Sequence, residues 1–314
     1  MDTPSLFKRQ MQDMSEVIVQ FLGSGDAFGS GGRLQTCICI DTGHIRFLVD
    51  CGATSLTAMK HWGVDPGSID MIFVTHLHGD HFGGIPFFIL DAQLITKRTR
   101  PLVIAGPPGL KERVRDTMEV LVPGSSRVQQ RFAVYFRELP DREPAKIGPV
   151  VVTPYRVVHP CGAPPYALRI ECGGKVLTYS GDTEWADTLV DAASGADLFI
   201  CEAYFFEKKT KYHLDYRTLM EHREELGCVR LIITHMSDDI TGNIYTYGTS
   251  LYASGCSGYR SCIRNSYYFP RYNLCSEVAF LMTTETNCTD LHFSMPLSLK
   301  VVKNTGTCIC CGEA

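Results

Sequence analysis

The most restrictive feature of the chain is Thr75-His76-Leu77-His78-Gly79-Asp80-His81, three histidines and an aspartate within six positions, entered directly from the apolar run Met71-Ile72-Phe73-Val74. A short apolar run of this kind, with turn residues after it, reads as a buried strand. Alternation along an extended chain sends His76 and His78 to the same side, and the opening turn of the next element lets Asp80 and His81 face them. Imidazole and carboxylate at that spacing suit zinc, which takes about four N, O or S ligands and leaves a position open when it is catalytic. A fold that accepts this segment must end a core strand at a pocket.

Three more ligand types stand at the ends of apolar runs. His159 ends Pro149–Val158, Asp182 follows KVLTYSG, and His235 follows VRLIIT. Ligands in layered α/β folds gather at the carboxyl ends of strands, so four strand ends carrying His or Asp define one pocket. Further strands are expected at 16–22, 36–42 and 45–50 as a meander, and at 101–105, 197–201 and 229–234. Helical spacing lies between the strands, notably over 213–226, which closes on Gly227. Mixed sheet layers with helices outside are the natural assembly, an α/β fold.

Composition bounds the rest. At 45% apolar and 20% charged residues the chain reads as globular. No apolar run approaches a membrane span, and no cleavable apolar leader is visible in MDTPSLFKRQMQDMSE, so the expected location is cytoplasmic, with no membrane partner. A net charge of -4 gives no general attraction to nucleic acid, which leaves the basic runs KRTR (97–100) and KKTK (208–211) as local patches. The first asparagine is Asn243, and seven of the 14 cysteines and seven of the 14 tyrosines lie beyond residue 240. The organisation expected is therefore a lead over 1–15, a main domain over 16–240, and an atypical tail over 241–314, which is an appended small domain, poorly ordered, or the product of a frame change or fusion. Its Cys308, Cys310 and Cys311 form only a weak zinc signal.

The segments FLGSGDAF, FLVDCGAT, VTHLHGDHFGGIP, AGPPG, YSGDT and IITHMSDD, spread over roughly 17–240, resemble those of the metallo-β-lactamase superfamily, and most of all its ribonuclease Z-like branch. That resemblance implies a four-layer αββα sandwich. It implies two zinc ions, or manganese or iron(II), with His76, His78 and His159 on the first, Asp80, His81 and His235 on the second, and Asp182 bridging both. True β-lactamases of the commonest class carry cysteine at the position of Asp182, so antibiotic hydrolysis is not expected. Glyoxalase II-like and lactonase-like enzymes share the seven ligands, which leaves a thioester or lactone substrate open beside a phosphodiester.

The chemistry expected is hydrolysis by water whose pKa two metal ions lower to about 7. Asp80 orients that water. By the resemblance, Glu202 and His213 form the pair that donates a proton to the leaving oxygen; the alternative is a structural Glu and a helix-capping His. Cys201 stands where the branch has His before the Glu, and the Gly/Pro-rich arm with which long-form members grip transfer RNA is absent. The expected substrate is thus an RNA end or a small cyclic phosphodiester, handled by a chain that could pair as a homodimer. A catalytically silent binding protein is the non-enzymatic alternative. The run GSGDAFGSGG (23–32) has the wrong spacing for a dinucleotide loop and reads as a turn on the site's rim, with Arg33 either touching a substrate phosphate or solvated.

Overall fold

The computed structural model describes residues 16–240 and, as backbone only, two short strands further on, Phe280–Thr283 and Leu299–Val302. The chain starts as the expected meander: β1 (Val17–Gly23), β2 (Cys37–Asp41) and β3 (Arg46–Val49) pair antiparallel in sequence order. β4 (Met71–Phe73), β5 (Leu102–Gly106) and β6 (Val134–Glu138) then add in parallel, as strands joined through helices do. The helices in these crossovers are Ser55–His61, Gly79–Phe82, Ile85–Leu94 and Leu110–Leu121.

A second sheet takes β7 (Ala145–Ile147), β8 (Val150–Arg156), β9 (Tyr166–Cys172), β10 (Lys175–Tyr179), β11 (Leu198–Glu202) and β12 (Arg230–Thr234). Its first four strands are antiparallel neighbours, and β10, β11 and β12 run parallel. Both sheets are completed from the tail. β13 (Phe280–Thr283) lies antiparallel beside β12 and β14 (Leu299–Val302) parallel beside β1, giving seven strands in each sheet. The lead 1–15 and Cys308, Cys310 and Cys311 lie outside the described residues.

One face of each sheet meets the other. Val19, Phe47 and Phe73 from the first pack with Val152, Leu168, Leu177 and Ile200 from the second, and the Phe47 and Phe73 rings meet edge to face at 5.3 Å. Outside the first sheet, Leu48, Ile72 and Ile104 pack against Met59, Phe88, Val114 and Met118 of the helices. Outside the second, Phe199, Leu231 and Ile233 meet Leu189 of helix Thr188–Ala193 and Leu219 of helix Tyr216–Glu221. The result is the four-layer αββα sandwich. Among the described residues, no helix is long and apolar enough to cross a membrane.

The helical run expected over 213–226 is shorter. Helix begins only at Tyr216, because the Asp215 carboxylate accepts from the Thr218 amide at 3.0 Å and caps it there, so His213 and Leu214 stay outside the helix. The chain still leaves this region through Gly227, whose φ of 59° is the left-handed conformation glycine adopts freely. β9 is not among the strands expected from the sequence; it forms a hairpin with β10 across Gly173-Gly174, both at positive φ, the Gly-Gly signature of a tight hairpin turn.

Candidate metal centre

The sequence-predicted ligands converge at one end of the sandwich. His76 and His78 follow β4, His159 follows β8, Asp182 follows β10, and His235 follows β12. Asp80 and His81 sit on the short helix Gly79–Phe82 that opens after His78. The rings of His76, His78 and His159 form a near-equilateral triangle, with centroids 4.9, 4.9 and 4.8 Å apart. Within it, His159 Nε2 and His78 Nδ1 point at each other across 3.0 Å.

A second group lies beside the first. His81 Nε2 is 3.3 Å from Asp80 Oδ2, and His235 Nε2 is 3.4 Å from the same oxygen. Asp182 stands between the groups. Its Oδ1 lies 3.2 Å from His81 Nε2, while its Oδ2 lies 3.9 Å from both His76 Nε2 and His159 Nε2 and 3.5 Å from His235 Nε2. Ligand atoms of His76, His78 and His159, and those of Asp80, His81, Asp182 and His235, all fall within 4.8 Å of one another inside each group. All seven expected residues are therefore brought together, divided as 3 + 4 with Asp182 at the join.

The family described as anti-Pycsar protein Apyc1 matches residues 17–252. The chain belongs to that family. It is also 30% identical to a ribonuclease Z of Methanothermobacter thermautotrophicus, with 70% of this chain and 86% of that protein covered, and 27% identical to a ribonuclease Z of Exiguobacterium sp., with 71% and 90% covered. Among solved structures it is similar to human tRNase Z, short form (26% identity, TM-score 0.59, 70% of this chain and 92% of that one). It also matches the metallo-β-lactamase fold protein YhfI of Bacillus subtilis (20% identity, TM-score 0.60, 74% and 92%). The Apyc1-family chain is thus a ribonuclease Z-like member of the metallo-β-lactamase superfamily and a metal-dependent hydrolase.

The donor set fits metal. His76 Nε2 is buried and has no hydrogen-bond partner, a state that costs roughly 1–3 kcal/mol unless something occupies the lone pair, and the buried His81 Nε2 makes no aligned hydrogen bond although Asp182 and Asp80 oxygens stand 3.2 and 3.3 Å away. Burial, reinforced by the neighbouring His81, holds the His76 imidazole well below the usual histidine range, in the neutral form that offers a lone pair. Burial alone would raise the Asp182 carboxyl, but His235 and His81 hold it well below the usual carboxylate range. Burial also opposes charge on His235, yet Asp182 and Asp80 push it up to about 9. Two buried carboxylates demand positive charge here, and without metal they draw it from protons.

Several supporting residues position the candidate ligands. Asp50, fully buried at the end of β3, holds His81 Nδ1 at 2.7 Å and accepts from the Thr75 amide at 2.8 Å and the Thr75 hydroxyl at 2.9 Å. His159 Nδ1 donates to the Tyr212 carbonyl at 2.9 Å. Such outer contacts fix ring orientation and leave the other nitrogen facing inward. Asp50, Tyr212 and His235 have φ of 59°, 72° and 56°, three of the five non-glycine residues with positive φ among those described. Left-handed backbone outside glycine collects at functional sites, where the surrounding structure must hold it. Sequence reasoning does not single out Asp50 or Tyr212; for Asp50 the available signal is an acid at a strand end, as for Asp182.

Glu202 and His213 do meet. His213 Nδ1 lies 3.2 Å from Glu202 Oε2, and the His213 ring is 5.0 Å from that of His159 and 6.0 Å from that of His235. Glu202 is fully buried, with its Oε1 accepting from the Thr183 amide next to Asp182. His213 therefore borders the centre. Arg33 is not simply solvated: its Nη2 donates to the Met236 carbonyl, tying the 23–33 turn to the segment after His235.

Proposed function

We propose that this protein is a binuclear zinc-dependent phosphodiesterase of the ribonuclease Z-like type. The observation that carries the reading is the placement of Asp182 between a three-histidine group and an Asp80/His81/His235 group, with orphaned buried nitrogens on both sides. His76, His78 and His159 would hold one ion and Asp80, His81 and His235 the other, with Asp182 shared. Metal at such a site supplies Lewis acidity, lowering the pKa of water and offsetting charge on a phosphoryl oxygen.

The chain's own groups do the rest. Asp80 lies beside both His81 and His235, placed to accept a hydrogen bond from the attacking water and aim it. His213 borders the centre with its Nδ1 on Glu202. Its other nitrogen can give a proton to the leaving oxygen, and the buried Glu202 holds the tautomer and favours the charged ring. The names of the relatives, ribonuclease Z, support a phosphodiester as the bond cut. Between His159 and β9 the chain makes only the turn Pro160–Pro165, and no arm projects among the described residues, which favours a small phosphodiester over a folded RNA. Cytoplasmic location and pairing as a homodimer complete the proposal.

The test is hydrolysis by the zinc- or manganese-loaded protein of bis(p-nitrophenyl) phosphate, set beside a lactone and a thioester. Turnover of the phosphodiester with metal content near two ions per chain is expected, roughly as two-metal hydrolases behave. Turnover confined to the carbonyl substrates would replace this reading with the glyoxalase II-like or lactonase-like one; a purified chain that holds well under one ion and cleaves no ester would replace it with a binding protein.

A further inference from the structure

Glu202 stands outside the seven proposed ligands, yet its carboxylate is fully buried at the end of β11. A buried charge needs an ion pair or a metal. One oxygen, Oε1, is taken by the Thr183 amide; the other, Oε2, faces His213 Nδ1 at 3.2 Å. That spacing is informative. A charge-assisted N–H···O bond closes to about 2.7–2.9 Å, as the contact between His81 Nδ1 and Asp50 does at 2.7 Å. Neighbouring donors on a tetrahedral zinc, with bonds of about 2.0–2.2 Å, stand roughly 3.2–3.6 Å apart. The proposed ligands of the second group show that spacing, His81 Nε2 lying 3.2 Å from Asp182 Oδ1 and 3.3 Å from Asp80 Oδ2. His213 and Glu202 are thus spaced like ligands rather than like a closed ion pair.

A third donor stands with them. Ligand atoms of Glu202, His213 and His235 lie within 4.8 Å of one another, and so do those of His159, Asp182 and His213. His235 Nε2 faces Asp80 and Asp182, whereas its Nδ1 is buried without a hydrogen-bond partner. A metal-bound histidine normally gives its second nitrogen to an oxygen, as His81 does to Asp50 and His159 to the Tyr212 carbonyl. His235 has no such oxygen among the described residues. The pair is also within reach of solvent, because the His213 side chain is 24% exposed.

We propose that Glu202 and His213, with His235 beside them, form a third zinc position that fills only in excess metal and shuts the hydrolase down. The site itself is independent of the phosphodiesterase reading; its inhibitory effect rests on that reading. Two dications nearby repel a third, so this position is the last to fill and the weakest. With its Nδ1 bound to zinc, His213 loses that proton to solvent. The ring is then neutral, and its remaining N–H could leave only by making an imidazolate anion, so the ring no longer protonates the leaving oxygen. The exchange is one zinc ion for one proton, with no change of oxidation state.

Equilibrium dialysis of the full chain against rising zinc reads the site directly. Wild type takes up two ions and then a third, more weakly bound. Removing an outer partner of a metal ligand costs about 10- to 100-fold in affinity, so removing a donor in His213→Gln weakens the third ion at least that much, with the first two retained. Glu202→Gln, which keeps the side-chain shape, does the same. Kinetics read the consequence. Beyond two equivalents of zinc, cleavage of thymidylyl-(3′→5′)-thymidine, whose leaving group is an alkoxide, falls on the order of 10²-fold or more. Cleavage of bis(p-nitrophenyl) phosphate, whose phenolate leaves without a proton, falls far less. A wild type that stops at two ions in millimolar zinc overturns the site, as does a third ion that both variants hold as tightly. Inhibition of equal size on both esters, retained in His213→Gln, overturns the switch. A third ion that both variants lose, in a protein whose wild type cleaves neither ester, overturns the phosphodiesterase and keeps the site.

Discussion

The two sheets contribute to the centre in contrasting ways. The first delivers its candidate ligands in one stroke, His76, His78, Asp80 and His81 on a loop and a single short turn of helix, with Asp50 of the adjoining strand end beneath them. The second delivers one residue per strand end, His159, Asp182, Glu202 and His235, each from a different strand and separated by 20 or more residues. The first sheet can hold its part of the site by local geometry alone. The second can do so only if β8, β10, β11 and β12 keep their register. Local candidate ligands set the position of the centre, and dispersed ones make its completion a report on the whole fold.

The sharpest way to break that comparison is to remove the one dispersed carboxylate that stands between both groups. Asp182→Ala is expected to empty the centre almost entirely and to lower kcat/KM on the order of 10³-fold, several kcal/mol of lost charge stabilisation. His78→Ala, which touches only the three-histidine group, is expected to retain about one ion. Metal analysis of the two purified variants checks this. Equal retention in both would mean that Asp182 does not join the groups.

His213 tests the second sheet's other contribution. His213→Gln should keep the full metal content while kcat falls by about 10²- to 10⁴-fold on phosphodiesters with poor, alkoxide leaving groups. The loss should be much smaller for p-nitrophenolate, which leaves without a proton. A parallel loss of metal would place His213 among the ligands instead, as its proximity to His159 and Asp182 also allows.

Asp50→Asn probes the support under the local motif. The amide cannot hold His81 Nδ1 and the Thr75 amide as the carboxylate does, so metal affinity should fall about 10- to 100-fold with the fold intact. Competition with a chromophoric chelator measures it.

The same contrast explains what the sequence makes legible before the fold is known. The His76–His81 cluster is legible because its residues are adjacent and follow an apolar run, so spacing alone encodes their geometry. His159, Asp182 and His235 are legible only jointly, as polar residues ending apolar runs. The strands β1 to β5 and β8, β10, β11 and β12 announce themselves by β-branched runs; β9, with Arg169 and Glu171 in its second half, does not, and it is fixed by the Gly173-Gly174 turn and the register of its neighbours. Asp50 and Tyr212 are out of reach for another reason. Asp50 acts through His81, 31 residues on, and Tyr212 through a backbone carbonyl, which no side-chain pattern records. Apolar spacing extends the expected helix back to His213 and Leu214, whereas the Asp215 cap decides where the helix starts.

The smallest expected effect tests whether the local motif is as self-contained as its sequence suggests. Gly52 follows β3 and packs against the turn of helix that carries Asp80, so closely that a Cβ there would stand 2.2 Å from the Asp80 carbonyl oxygen and 2.8 Å from the Gln35 Cβ. Backbone cannot yield as a flexible side chain does, so Gly52→Ala must move the β3 end and the ligand helix apart. Overpacking of this kind costs about 1–3 kcal/mol, a fall in Tm on the order of 2–12 °C for a domain of this size. If the ligand helix carries its own geometry, metal affinity survives the thermal loss, because His76, His78, Asp80 and His81 move together. If instead the centre depends on Asp50 and β3 for its alignment, affinity falls in step with Tm, as it does in Asp50→Asn. Thermal melts with and without zinc separate the two: an undiminished zinc-induced rise in Tm supports the self-contained loop, and a reduced one ties the local half of the site to the sheet beneath it.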